Sequence, residues 1–128
     1  MGLDNGICVK RTPAAEKIPE LKAFEEEWCR CNFEICYWRK CWNIRSRIFD
    51  VLRGPCVDGW RIFLSVEDID RIAEVLQSFT EENWEDEGGS IWAFSEMEDR
   101  LKQQIENLGV LKRLMQEHEL GVYFYDSY

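Results

Sequence analysis

Hydrophobic residues recur at three- and four-residue steps in three parts of the chain, and this spacing predicts three amphipathic helices. We expect them at residues 35–52, 65–79 and 95–119. Ser65 and Ser95 are each followed three residues later by a carboxylate, a pattern that satisfies the free amides at the start of a helix. The second and third helices are therefore predicted to begin at these serines.

Short runs of apolar and β-branched residues predict three strands, at residues 7–10, 60–64 and 122–125. Pro13 and Pro19 follow the first run and indicate a loop. The last run lies beside the C-terminus, so we expect it to pair within the sheet.

Residues 20–34 leave two alternatives open, because Leu21, Phe24 and Trp28 have helical spacing while residues 28–35 can equally form a strand. The remaining elements predict an α+β or α/β fold, in which a small sheet of three to four strands packs against about three amphipathic helices. With 128 residues, 45% of them hydrophobic, the chain can build one core. We therefore expect a single domain over residues 1–128.

The chain carries 25 acidic and 16 basic side chains, a formal net charge of −9. This balance argues against general affinity for nucleic acid or for an anionic membrane. The sequence also shows neither a long apolar stretch nor the basic and then apolar start of a signal peptide, so we expect a cytoplasmic protein. The charge is uneven: residues 65–100 sum to −10 and residues 28–64 sum to +4.

Five carboxylates surround one tryptophan in the acidic part of the chain: Glu81, Glu82, Trp84, Glu85, Asp86 and Glu87. The functional interpretation is that these residues form a surface that binds a host protein with a basic face. Two simpler interpretations stay open, a solvated loop or an internal match for the cationic residues of the first helix.

The cationic part combines indole rings with guanidinium groups between residues 37 and 47. Trp38, Arg39, Trp42 and Arg45 are the candidate residues for a nucleotide or another small anion, since rings stack on bases and guanidinium groups bind phosphate. Trp38 and Trp42 are also four residues apart, the spacing of two core residues on one helix face. Packing is therefore the alternative interpretation.

Six cysteines raise the question of disulfides or a metal. In a chain without a secretion signal we expect free thiols. The zinc alternative would use Cys29, Cys31, Cys36 and Cys41, but Cys36 and Cys41 on one helix would point about 140° apart. We therefore expect no metal and no cofactor.

The sequence contains no catalytic signature. His118 is the only histidine, with no serine or cysteine close to it along the chain, and Gly88-Gly89-Ser90 lacks the lysine of a phosphate-binding loop. We expect a binding protein and not an enzyme.

Four segments resemble small uncharacterised proteins of Firmicutes bacteria and their phages: MGLDNGI at 1–7, ICYWRKCWN at 35–43, GSIW at 89–92 and FYDSY at 124–128. The resemblance implies a small accessory protein of a mobile element. Such proteins often act by stoichiometric binding, which includes the inhibition of host defence.

Overall fold

The computed structural model describes residues 3–27, 30–52, 61–85 and 90–127. In these residues the strands are β1 (Asp4–Lys10), β2 (Asn32–Arg39), β3 (Arg61–Phe63) and β4 (Val122–Ser127). The α-helices are α1 (Pro13–Glu16), α2 (Trp42–Val51), α3 (Val66–Ser78) and α4 (Phe94–Glu117). A 3₁₀ helix spans Pro19–Phe24.

The strands form one antiparallel sheet in the order β2-β1-β4-β3. The two ends of the chain thus supply the two central strands, β1 and β4. The sheet has four strands and is combined with helices, which confirms the predicted α+β class.

A bulge in β2 controls which side chains share a face of the sheet. Ile7 of β1 is opposite Cys36 and Cys8 is opposite Glu34, so Ile35 has no partner on β1. Because residues opposite one another point to the same side, the bulge places Glu34 and Tyr37 on one face although they are three positions apart.

The hydrophobic core lies between the other face of the sheet and the longer helices. β1, β2 and β4 supply Ile7, Phe33, Trp38 and Phe124, and α2, α3 and α4 supply the aliphatic side chains that complete it, among them Ile44, Ile48, Ile69, Ile72, Leu76, Leu108 and Leu111. Glu34 lies on the opposite face of the sheet, together with Gly6, Cys8 and Tyr125.

Side chains cap the outer edge of β2. Three of its carbonyl groups accept hydrogen bonds of 3.1 to 3.3 Å from side-chain nitrogens, namely Ile35 from Asn107, Tyr37 from Gln104 and Arg39 from Trp92. Such capping removes acceptors that a foreign strand would need for pairing.

The prediction of one helix over residues 35–52 was wrong in its first half. Residues up to Arg39 belong to β2, Lys40 has a positive φ of 54°, and α2 begins only at Trp42. The bulge explains the error, because it interrupts the alternation of a strand and lets the buried residues Ile35 and Trp38 imitate helical spacing.

Two further predictions need correction, and the alternatives left open for residues 20–34 are resolved. Pro13 and Pro19 do not mark a loop, since each opens a short helix, where its fixed φ fits and its missing N–H costs nothing. Residues 20–34 contain both the 3₁₀ helix and the start of β2. α4 begins at Phe94, so Ser95 lies inside the helix and does not cap it; Ala93 occupies the cap position and forms no side-chain cap hydrogen bond.

The prediction for α3 is confirmed in detail. The Ser65 hydroxyl accepts from the amide of Asp68 at 3.2 Å, and the Asp68 carboxylate accepts from the amide of Ser65 at 3.0 Å. The predicted strands are also present, although β1 is longer than expected and Trp60 lies outside the described residues. In the described part of the chain, no helix combines the length and the apolar character needed to cross a membrane.

Candidate functional site

A buried carboxyl group connects three strands on the sheet face opposite the core. Glu34 of β2 is only 7% exposed. Its Oε2 accepts from the Cys8 thiol of β1 at 2.9 Å, and its Oε1 accepts from the Tyr125 hydroxyl of β4 at 2.7 Å. Both oxygens of one carboxyl group are therefore held, one by the adjacent strand β1 and the other by β4, which lies beyond it.

Removal from water raises the pKa of Glu34 to about 7, and the nearby charge of Glu26 acts in the same direction. The hydrogen bonds from Cys8 and Tyr125 oppose this effect. Burial also raises the pKa of Tyr125, and the charge of Glu34 adds to that shift. Of these two hydrogen-bonded groups, the Glu34 carboxyl group is therefore the one that can exchange a proton near neutral pH.

Gly6 makes the contact between Glu34 and Tyr125 possible. It lies on β1, opposite Tyr37 on one side and Tyr125 on the other. A Cβ atom at this position would lie 2.6 Å from the Tyr125 hydroxyl oxygen and would also collide with Glu34. The missing side chain provides the space in which the two groups meet across β1.

A cleft of about 590 Å³ runs beside this cluster, between the end of the 3₁₀ helix, the outer edge of β2 and α4. Its charged lining residues are Glu26, Glu34 and Arg100. Tyr37, which donates to Asp4 at 2.7 Å, also lines it. Burial raises the pKa of Tyr37 to about 12 and the bond to Asp4 adds to this effect, so the phenol stays protonated at neutral pH.

The predicted acidic surface begins as an ordered turn at residues 80–85, which we call the acidic turn. The Thr80 amide donates to the Asn83 side chain at 2.7 Å, the Asn83 amide donates to the Thr80 hydroxyl at 3.3 Å, and Asn83 also donates to the Ser78 carbonyl at 2.8 Å. Glu81, Glu82 and Glu85 are exposed and form no ion pair with any described residue. The predicted residues Asp86 and Glu87 lie outside the described residues.

Trp84 is not part of that surface, which corrects the prediction. It is 1% exposed and packs edge to face on Phe79 at 5.1 Å. Its indole N–H donates to the Trp92 carbonyl at 2.7 Å, and its own carbonyl accepts from Asn43 at 2.5 Å. The ring is the internal anchor of the acidic turn.

The predicted anion-binding residues do not form one surface. Trp38 is 1% exposed on the core side of β2 and donates to Gln104 at 2.8 Å, whereas Arg39 is exposed at the end of the strand. Trp42 is 42% exposed on α2. The four residues are dispersed because β2 ends at Arg39 and α2 begins at Trp42.

Arg45 is already engaged by a carboxylate. Its Nε and one terminal nitrogen each donate to Asp126 of β4 at 2.8 Å, and its guanidinium lies 5.7 Å from the Trp42 ring centroid. Asp126 also accepts from the buried Asn5 side chain at 2.6 Å. An external anion would have to displace Asp126, so the cationic residues do not present a ready anion site.

The zinc candidates are also dispersed. Cys36 is buried on β2, Cys41 is buried before α2 and Cys31 is exposed, while Cys29 lies outside the described residues. Burial raises the pKa of both the Cys36 and the Cys41 thiols, which keeps them protonated. Within the described part of the chain, no three side chains are grouped as metal ligands.

Comparison of the chain with protein-family models, with curated proteins and with solved structures gives no match.

Sequence reasoning missed the Glu34 cluster, but the sequence contains a signal for it. Glu34 is the only charged residue in the run FEICYW at 33–38. A carboxyl group inside such an apolar run indicates a buried and partnered acid. Its partners Cys8 and Tyr125 come from distant parts of the chain, so the sheet order had to be known first.

Proposed function

We propose that this protein acts inside the cell by stoichiometric binding of another protein with a basic surface, and not by catalysis. The observation that carries the proposal is the acidic turn, in which a hydrogen-bonded backbone exposes Glu81, Glu82 and Glu85, none of which forms an ion pair with a described residue.

The order of the turn matters for affinity. Reciprocal bonds between Thr80 and Asn83 fix the backbone, and buried Trp84 fixes the turn to the core. Less conformational entropy is lost on binding when the contacting groups are held in place beforehand. This organisation favours a binding surface over a merely solvated loop.

The unpaired state of the glutamates also weakens the alternative of internal neutralisation. Arg45 pairs with Asp126, and Arg47 donates to Ser78 and lies over the Phe79 ring. These cations of α2 contact groups other than Glu81, Glu82 and Glu85. The three carboxylates therefore remain available to a basic partner, whose approach they would accelerate at low salt.

The resemblance to proteins of Firmicutes and their phages supports a bacterial host protein, such as a defence component, as the partner. The test is affinity capture from a lysate of such a host with the wild-type protein, at low and at physiological salt. We expect a basic protein to be retained in a fixed molar ratio, and more strongly at low salt.

The decisive comparison uses two triple variants of equal charge. Glu81→Gln, Glu82→Gln and Glu85→Gln together should abolish capture. The control carries Glu27→Gln, Glu106→Gln and Glu119→Gln, at residues that are exposed elsewhere on the molecule. This variant should capture the partner as the wild-type protein does. Equal capture by both variants, or no capture by the wild-type protein at either salt concentration, would refute the proposal.

A further inference from the structure

The acidic and the basic side chains that line the cleft beside β2 lie toward different ends of it. Glu26 and Glu34 both line the cleft, together with Ala23 and Phe24 at the end of the 3₁₀ helix. Asn107 of α4 donates to the carbonyl of Ile35, the residue next to Glu34, and therefore marks the acidic end of the cleft on that helix.

Arg100 lies on the same helix, seven residues before Asn107. At a rise of 1.5 Å per residue this places it about 10 Å further along the cleft. Arg100 is exposed and forms no ion pair with any described residue, and the Glu26 carboxylate is likewise without an ionic partner there. The cleft therefore has unpaired charges of opposite sign toward its two ends.

The side-chain amides that line the cleft are less available to a ligand, because they already form hydrogen bonds within the protein. Gln104 donates to the Tyr37 carbonyl and accepts from Trp38, and Asn107 accepts from Gln103 while it donates to Ile35. These amides mainly hold α4 against the edge of β2. Recognition of a ligand thus falls to the charged groups.

We propose that this cleft binds a small zwitterion, with a protonated amine held by the exposed Glu26 carboxylate, beside buried Glu34, and an anionic group held by Arg100. Because Arg100 lies about 10 Å along α4 from the Asn107 end of the cleft, we expect a ligand whose amine and carboxylate are adjacent to bind weakly. It fits an ω-amino acid or a short peptide, which share a terminal amine and a terminal carboxylate at opposite ends of a chain. The site is distinct from the acidic turn.

Isothermal titration calorimetry with defined probes tests the proposal. The probes are 6-aminohexanoate, triglycine, glycine, hexylamine and hexanoate. We expect binding of 6-aminohexanoate, triglycine or both, and their relative affinities then distinguish an ω-amino acid from a peptide as the ligand class. Glycine, hexylamine and hexanoate should each bind at least about tenfold more weakly, because each lacks one charge or the spacing.

Variants identify the site. Arg100→Gln and Glu26→Gln should each weaken binding of the better probe by about tenfold or more, since each removes one charge-assisted contact. Lys102→Gln and Glu27→Gln are the matched controls, exposed neighbours that do not line the cleft, and should bind normally. The acidic-turn triple variant should also bind normally, so this proposal and the proposed function fail separately.

Three results would overturn the proposal. They are the absence of binding by every probe at millimolar concentration, binding of hexylamine as tight as that of 6-aminohexanoate, and equal affinity of Arg100→Gln and Lys102→Gln. The variants change exposed side chains, and thermal unfolding should show that they fold like the wild-type protein.

Discussion

Tyr125 donates its hydroxyl hydrogen to Glu34 across an intervening strand, over a distance of 2.7 Å. The two residues come from β4 and β2, which are not neighbours, and β1 lies between them. Their contact passes over Gly6, whose Cα leaves the space free. The absence of a side chain at Gly6 thus allows β4 to contact β2 across β1.

Gly6→Ala should therefore destabilise the fold. The added methyl group would force Tyr125 and Glu34 apart, and overpacking of this kind costs about 1–3 kcal/mol of unfolding free energy. Chemical denaturation followed by circular dichroism measures the loss.

Gly109→Ala is the control for this experiment. Gly109 lies within α4 and is exposed. A Cβ atom added there would have no neighbouring heavy atom of the described residues within 4 Å, apart from the backbone of its own helix and its chain neighbours. Alanine favours the helix by about 0.5–1 kcal/mol, so this variant should be slightly more stable than the wild-type protein. Equal effects of the two substitutions would contradict the described contact.

The Glu34 carboxyl group should make stability depend on pH between about 4.5 and 7. Its pKa is about 7 in the folded protein against 4.5 ordinarily, so the folded state binds the proton more tightly. Stability from this group is complete below pH 4.5, falls as pH rises toward 7, and then stays constant. The total is up to about 3 kcal/mol, from 1.36 kcal/mol per unit.

Glu34→Gln isolates that effect. The amide cannot titrate, so the difference in unfolding free energy between wild type and variant should change in favour of the variant as pH rises through this range. Denaturation at several pH values measures the difference. A constant difference from pH 5 to pH 7.5 would show that Glu34 is not a buried acid.

The sequence predicted the fold class because local signals agree with the final structure in α3 and β4. In α3 the capping residues Ser65 and Asp68 coincide with the start of a regular apolar stripe, so nothing competes with the helix. β2 could not be recognised in the same way. Its bulge at Ile35 breaks the alternation, and no glycine or proline marks the change of direction at Lys40.

The candidate sites depended even more on tertiary structure. The sequence identified Glu81, Glu82 and Glu85 as exposed charges, because runs of charge remain in water. It could not show that Trp84 among them turns inward, since its neighbours Phe79 and Phe94 meet it only in the folded chain.

The Arg45–Asp126 pair should contribute more to stability than an ordinary surface ion pair. Its two parallel hydrogen bonds of 2.8 Å join α2 to β4, and the side chains are 24% and 11% exposed. A double-mutant cycle with alanine should give a coupling energy of about 1–2 kcal/mol. The more exposed pair Lys112–Asp70 should give about 0.2–0.5 kcal/mol. Equal couplings would mean that the bidentate geometry does not form in solution.

Trp84 and Trp42 should respond very differently to substitution by alanine. Trp84 is almost completely buried, is hydrogen-bonded and packs edge to face on Phe79, so its loss leaves a cavity beneath the acidic turn and should cost about 3–5 kcal/mol. Trp42 is 42% exposed and contacts the Arg45 guanidinium, so its loss should cost about 1 kcal/mol or less. Thermal unfolding compares the two variants directly. If Trp84→Ala were as stable as Trp42→Ala, Trp84 would lie at the surface, and the acidic turn would lack the anchor on which its ordered presentation depends.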